Sequence, residues 1–410
     1  MNAITNNMTH LRALTYISVF TPLKSRPLYN ALIGLCWGTG CILGPLIGGG
    51  FAVSSATWRW AFYINLPLAA ALSPIYIFLF PKHNPQPTKT GTAKLKQIDW
   101  LGALLNAAVF SLFMVVLTFA GSTWKWSNAS PIALWACFGA SILAFVTQQT
   151  FSISTAPATQ LFPLHFLKSR TQILLYVATA ASACGLSVAV YYIPLFFQFT
   201  HGDSAIRAAI RLLPYITLNI FFVMFTGALL PIIGRYAPFY VVSGVFLIIG
   251  GALMHSVSLT TSTSAIYGFE ILMAIGSGLA QQNAYSVAVI KVKKHDIQNA
   301  IGFINVAQIG TIAISLSIAA AIFQNRGYIN LREALDGYGF SEGELRGALA
   351  GAQSAVLKGG DLVVRVKAIE AIVKTIDSLW ILSIVAGAVT SVAGAAMRWE
   401  KLQLDMVSVG

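Results

Sequence analysis

The stretch Gly34–Gly50 reads GLCWGTGCILGPLIGGG. Three of its glycines, Gly40, Gly44 and Gly48, recur every fourth residue, which places them near one face of an α-helix. In lipid such a face lets a second backbone approach closely, because small residues drive helix packing there. Pro45 removes one helical hydrogen bond within it and is expected to bend the helix. The surrounding run, residues 30–52, is apolar and long enough for a span of about 20 residues. Helix packing alone accounts for a bare glycine repeat; this pattern is longer than that.

Working outward, the rest of the chain has the same character. Hydrophobic residues make up 56% of the 410 and charged residues 10%, with mean hydropathy +0.72, whereas a soluble domain carries about 25% charged residues. Further apolar runs fall at 59–80, 100–120, 131–151, 171–199, 209–233, 237–258, 264–290, 300–323 and 377–397. They are long and do not alternate, which excludes a β-barrel and predicts an all-α membrane protein of about ten transmembrane helices in a lipid bilayer. The net charge of +13 would point to nucleic acid in a soluble chain. Here the basic residues sit between apolar runs, so no nucleic-acid partner is expected.

Those basic residues also set the orientation. With the segment before the first run on the cytoplasmic side, cytoplasmic segments hold fifteen of the 26 Lys and Arg, and the short opposite loops hold only Arg59, Lys125, Arg207 and Arg211. The other seven lie in the long segment 324–376, and long segments escape the positive-inside rule. Both ends of the chain are thus expected in the cytoplasm.

The organisation follows. Residues 1–29 form a cytoplasmic N-terminal segment without a clean signal peptide. The proline-bearing, basic stretch 81–98 is a cytoplasmic linker dividing the chain. Residues 324–376 carry most of the acids and are expected as a long extracellular or lumenal loop with short helices on the outer surface. The last helix is 377–397 and the cytoplasmic tail 398–410. Cys36, Cys41, Cys137 and Cys184 lie in apolar runs, away from metal or disulfide spacings, and are read as packing residues.

Gly40-x3-Gly44-Pro45-x2-Gly48-Gly49 resembles the antiporter motif of drug:proton exporters in the major facilitator superfamily. The family's form has a further glycine where this chain has Ala31. Trp58-Arg59-Trp60-Ala61-Phe62-Tyr63-Ile64-Asn65-Leu66-Pro67 resembles the hallmark that follows this helix in the fourteen-span branch. Asp99-Trp100-Leu101-Gly102 resembles the start of that branch's two extra central helices. Gly202-Asp203-Ser204-Ala205-Ile206-Arg207-Ala208 through Arg211-Leu212-Leu213-Pro214 resembles its later outer loop. The style is that of a fungal toxin or multidrug exporter.

The resemblance implies a division into the last two helices of an N-terminal bundle (30–80), two central helices (99–151) and a C-terminal bundle (152–323). It also implies an N-terminally truncated fold lacking its first four helices, with the loop acids of the family lost near Phe20, Thr21 and Ser25. A cycle that rocks two six-helix halves against each other is then incomplete in this chain. The expected activity is secondary active, proton-coupled efflux of drugs, toxins or secondary metabolites from a monomer in the cell membrane or the vacuolar membrane. Uptake of a nutrient or siderophore, or a non-transporting remnant, are the alternatives. The antiporter glycines resemble exporters specifically.

Within the spans, ionisable residues default to functional hypotheses because they are costly there. Glu270 is the acid well inside an apolar run, and is the proton-coupling candidate; the structural alternative pairs it with His255 or lets it snorkel. Glu270, Ser277 and Gln281 fall at i, i+7 and i+11 on one helical face. Tyr192, Phe196, Gln281, Asn305 and Gln308 are the substrate-cavity candidates, with an aromatic anchoring belt and interhelical hydrogen bonding as the alternatives. Asn219, Gln282 and Asn283 add polar groups at depth. Asn128-Ala129-Ser130 matches a glycosylation acceptor in an outer loop, whereas Asn7-Met8-Thr9 should face the cytoplasm.

Other classes fit poorly. The six histidines are scattered without paired spacing, and no nucleophile motif or phosphate loop is present, so no enzyme, metal or cofactor is expected. A channel's repeated filter or charged ring is also lacking. The expected partners are a small organic substrate, protons and the bilayer.

Overall fold

A computed structural model describes residues 13–402 except 19, 56, 58, 80–89, 91–92, 94–96, 157–159, 294–295, 352–353 and 360. The long helices are α1 (Arg26–Val53), α2 (Trp60–Leu79), α3 (Trp100–Phe119), α4 (Ala129–Thr150) and α5 (Arg170–His201). A short α6 (Ala205–Arg211) precedes α7 (Leu213–Ile233), α8 (Ala237–His255), α9 (Thr263–Ala280) and α10 (Asn283–Ile290). The chain ends in α11 (Ile297–Asn305), α12 (Thr311–Ala334), α13 (Glu342–Ala350) and α14 (Leu362–Ala396). Among the described residues, nine helical stretches are long and apolar enough to cross a membrane. With the glycine-rich α1, 28 residues long, they make up the ten expected helices.

Close packing rests on small residues. A Cβ on Gly387 would lie 2.7 Å from the Gly244 carbonyl oxygen, so α8 and α14 meet backbone to backbone. Ser391 donates its hydroxyl to the Val241 carbonyl at 3.1 Å across the same contact. The large buried side chains of the bundle, Trp380, Tyr192, Tyr215 and Tyr240 among them, fill the space between these close contacts. Outward faces are apolar: Phe78, Ile232 and Val392 are exposed, as lipid-facing side chains are.

The central pair α3–α4 is a hairpin with a polar root. Asp99 caps α3 and accepts from Gly102 N at 2.8 Å, Gln148 Nε2 at 2.9 Å, Gln149 Nε2 at 2.7 Å and Leu161 N at 3.2 Å. It is buried, and so are both glutamines. Gly102 is required there because a Cβ would collide with the Asp99 carboxylate and the Gln149 amide. The hairpin leans on the start of α12, where Phe110 sits 2.9 Å from a Cβ placed on Gly310, the residue just before that helix.

Several sequence expectations shift. The last helix begins at Leu362, not at 377, and α12 continues to Ala334, past 323. Asp361 caps α14 by accepting from Val363 N at 2.9 Å, and Val364, Ala368 and Ile372 form a buried stripe below it. Arg365, Lys367, Glu370 and Lys374 on the other faces of that turn conceal the helix from a hydropathy scan. The short outer helices are α13 and the turn Ala355–Lys358. Cys36 and Cys137 are exposed, so packing applies to the partly buried Cys41 and Cys184. Asn7, Trp58 and most of the linker 81–98 lie outside the described residues.

Candidate functional site

The glycine face meets its neighbour elsewhere than expected. Nothing lies within 4 Å of a Cβ placed on Gly40, Gly44 or Gly48. The close approach is one to two turns earlier: a Cβ on Gly34 would lie 2.8 Å from Val223 Cγ1, and one on Gly38 would collide with Ile220. Periodicity identifies a face, but not whether that face or a neighbouring one is turned to the partner helix. α1 and α7 converge at Pro27, Ala31, Gly34 and Gly38, and at about 3.6 residues per turn Gly40, Gly44 and Gly48 lie roughly a third of a turn around α1 from that contact. The helix runs on through Pro45 to Val53.

Next to that contact α7 and α9 build a polar column. Tyr215 and Asn219 lie one turn apart on α7, and Glu270 and Ser277 two turns apart on α9. Ser277 gives its proton to the Met273 carbonyl at 3.0 Å and accepts from Asn219 Nδ2 at 2.7 Å and from the Tyr215 hydroxyl at 3.0 Å. Glu270 is fully buried, and neither carboxylate oxygen has a hydrogen-bond partner among the described residues. The alternative pairing with His255 is not formed; that imidazole Nδ1 bonds to the Asp377 carbonyl oxygen at 2.7 Å.

Eleven residues after Glu270 the helix is irregular for two residues, Gln281 and Gln282, both still in right-handed helical backbone conformation. α9 ends at Ala280 and α10 starts at Asn283, and together they form one membrane-crossing stretch, Thr263–Ile290, as expected over 264–290. Gln281 and Gln282 are both buried, each with its amide oxygen unpartnered among the described residues. Asn283 closes one exposed carbonyl by donating to Leu279 O at 2.8 Å.

A second polar knot lies just past these glutamines. The Tyr285 hydroxyl donates to Gln308 Oε1 at 2.7 Å and lies 3.4 Å from Asn305 Oδ1. Gln308 sits in a π-helical turn, Val306–Gly310, between α11 and α12, a local widening often found at functional sites. Asn30 Nδ2 donates to Ser286 Oγ at 2.9 Å, tying α1 to α10 beside a cavity of about 10 Å³, room for about one water.

Of the sequence candidates, Glu270, Ser277 and Gln281 do share one buried strip, and Asn305 and Gln308 come together through Tyr285. Tyr192 and Phe196 do not join them. Both are buried in the packed core, Tyr192 with its ring 5.9 Å from Phe323 and Phe196 at 5.5 Å from Phe197. They are therefore not on a surface belt. Sequence reasoning misses Tyr215, Tyr285, Asn30 and Ser286; Tyr215 is one turn before Asn219, and that spacing is its one signal.

The family model of the Major Facilitator Superfamily matches residues 3–317. The chain belongs to that superfamily. The efflux pump patC of Aspergillus clavatus is 40% identical over 395 residues, covering 96% of this chain and 72% of that protein. The MFS-type transporter patC of Penicillium expansum is 39% identical, over 95% of this chain and 71% of its own. The MFS-type transporter of the phomenoic acid biosynthesis cluster of Leptosphaeria maculans is 36% identical, over 96% of this chain and 65% of its own. This superfamily member is therefore a multi-pass membrane transporter similar to efflux pumps, and not an enzyme.

Proposed function

We propose that this major facilitator exports small organic molecules of the drug, toxin or secondary-metabolite class in exchange for protons, as a monomer of the fourteen-span branch in the cell membrane or the vacuolar membrane. The observation that carries the coupling is Glu270, a fully buried carboxyl group with both oxygens unpartnered among the described residues. An uncompensated charge at membrane depth costs about 3 kcal/mol on insertion scales and more by simulation. Arrival of a proton relieves that cost, and its departure restores it, which is the chemistry of a carrier. Gln281 and Gln282, with Asn305 and Gln308 behind Tyr285, supply hydrogen-bonding groups for a substrate among otherwise apolar walls. The α3–α4 hairpin rooted on Asp99 supports the fourteen-span reading, and the name of the Leptosphaeria relative supports secondary metabolites as cargo.

The test is uptake of ethidium into inside-out vesicles carrying the protein, driven by an imposed pH gradient. The expected outcome is that Glu270→Gln loses gradient-driven uptake, yet still exchanges dye across the membrane without a gradient. Wild-type uptake by Glu270→Gln at equal protein level would refute the coupling.

A further inference from the structure

Outside the column, one ion pair lies directly above it. Arg211, the last residue of α6, donates through Nε to Asp203 Oδ2 at 2.6 Å. Its Nη1 lies 3.4 Å from the Tyr267 hydroxyl, and its guanidinium carbon 4.8 Å from the centre of the Phe197 ring. Asp203 is held at the mouth: Gly202, with φ +63, ends α5 in a left-handed turn, and Ser204 then caps α6 by accepting from Arg207 N. Tyr267 and Glu270 lie one turn apart on α9, so the guanidinium reaches the turn just above the unpartnered carboxylate. Arg211 is the cation whose field reaches Glu270.

We propose that Arg211 is a positioning residue for transport, exchanging its guanidinium between Asp203 at the outer mouth and Glu270 in the buried column. This rests on Glu270 being the proton carrier. With the proton on Glu270, Arg211 stays with Asp203 and ties α6 to the end of α5, the arrangement seen here. When the proton leaves, a bare carboxylate one turn below Tyr267 competes for the same cation. Pairing there loosens the Asp203 tether, so the state of the carrier is transmitted to the outer loop. Arginine is suited to such an exchange, because its planar fork can hold Tyr267 while changing carboxylates and it stays charged throughout.

Few other groups compete. On α9 itself Tyr267 is the intermediate contact. From α7 the polar neighbour is Tyr215, whose hydroxyl is engaged by Ser277. From α8, His255 is turned to the Asp377 carbonyl, and from α5, His201 is bonded to Thr200 Oγ1 at 2.8 Å.

The test needs no substrate: thermal unfolding of purified wild type, Asp203→Asn, Glu270→Gln and the double variant across a pH series. Removing Asp203 costs less once Glu270 is ionised and can take over Arg211. The Tm loss from Asp203→Asn is therefore expected to shrink by about 2 °C as pH rises in the Glu270 background, and to stay constant in Glu270→Gln. Arg211→Gln should erase the Asp203 effect in both backgrounds, and Arg211→Lys should restore its pH dependence. An Asp203→Asn loss that is the same at every pH, while the Tm gap between wild type and Glu270→Gln does change with pH, overturns the exchange and leaves Glu270 as a titrating carrier. A gap that is flat with pH removes the carrier, and the exchange with it.

Discussion

Ala31 and Gly227 touch across the α1–α7 contact: a Cβ on Gly227 would lie 2.6 Å from the Ala31 methyl and 2.8 Å from the Pro27 carbonyl oxygen. Ala31 stands where the resembling motif has glycine, and it is fully buried. The extra methyl is accommodated because the facing residue is itself a glycine. Backbone on the far side cannot rotate away, so Gly227→Ala is expected to destabilise the protein by about 1–3 kcal/mol, the usual cost of overpacking. Gly44→Ala faces open space and gains helix propensity, so it should be neutral or stabilising by up to about 1 kcal/mol. Detergent-unfolding midpoints of the two variants decide this; equal losses would return the contact to the Gly40–Gly48 face.

Asp99 joins one helix start, two glutamines and a loop amide, so its removal strands several buried donors at once. Asp99→Ala is expected to cost at least about 3 kcal/mol, because each stranded buried group loses its full desolvation penalty. Asp99→Asn should cost less, since one amide oxygen can still cap Gly102 N. Hydrogen exchange at the start of α3 locates the damage. Unchanged protection there in Asp99→Ala would show that the hairpin is held by its apolar face alone.

Hydropathy made the fold class legible because membrane burial is an integral over some twenty residues and tolerates local errors. The site was legible only where polarity broke an apolar run, as at Glu270, Gln281, Gln282 and Gln308. Tyr215 and Tyr285 escape notice because an aromatic ring in an apolar helix looks like packing until its hydroxyl is seen to have a partner. The two-residue irregularity at Gln281 and Gln282 carries no glycine or proline, the usual breakers, so the span over 264–290 gives no sign of it. The first four turns of α14 are hidden for the opposite reason, charged residues on the outward faces of a helix whose inner stripe is apolar.

A pH dependence follows from α13. Ser341 donates its backbone N–H to Glu344 Oε2 at 2.8 Å and its hydroxyl at 2.7 Å, and those two bonds hold the Glu344 carboxyl below the ordinary range. A group lowered on folding stabilises the folded form above its unfolded pKa, and that contribution is lost as pH falls through the folded value. Hydrogen-exchange protection of 342–350 should therefore be flat above about pH 5 and decline below about pH 4. In Glu344→Gln the decline should vanish. A decline of equal size in Glu344→Gln would assign it to other carboxylates.

The last prediction concerns orientation. One end of the bundle gathers the loops that carry the positive charge: His165 meets Asp296 at 3.3 Å, Lys291 meets Glu400 at 2.7 Å, and Leu402 N donates to Gly234 O at 2.7 Å. At the other end the loop after α3 reaches the polar end of α12, where Asn325 Nδ2 lies 3.5 Å from the Ala120 carbonyl oxygen. Loops assigned to one side by charge are thus neighbours in space, as the positive-inside rule requires. A tag after residue 402 should be protected from external protease in intact cells, and one placed between Gly337 and Gly339, both at positive φ in the exposed turn before α13, should be cleaved. Asn128 offers an independent reading, since it is exposed at the start of α4 in a loop that the charge count assigns to the outer side. Glycosidase treatment of the protein expressed in a eukaryotic cell should sharpen the gel band, and Asn128→Gln should already run at the treated position. External cleavage of the C-terminal tag would invert the whole assignment, and an unshifted Asn128→Gln with correct tag accessibility would show that this asparagine lies too near the bilayer to be modified.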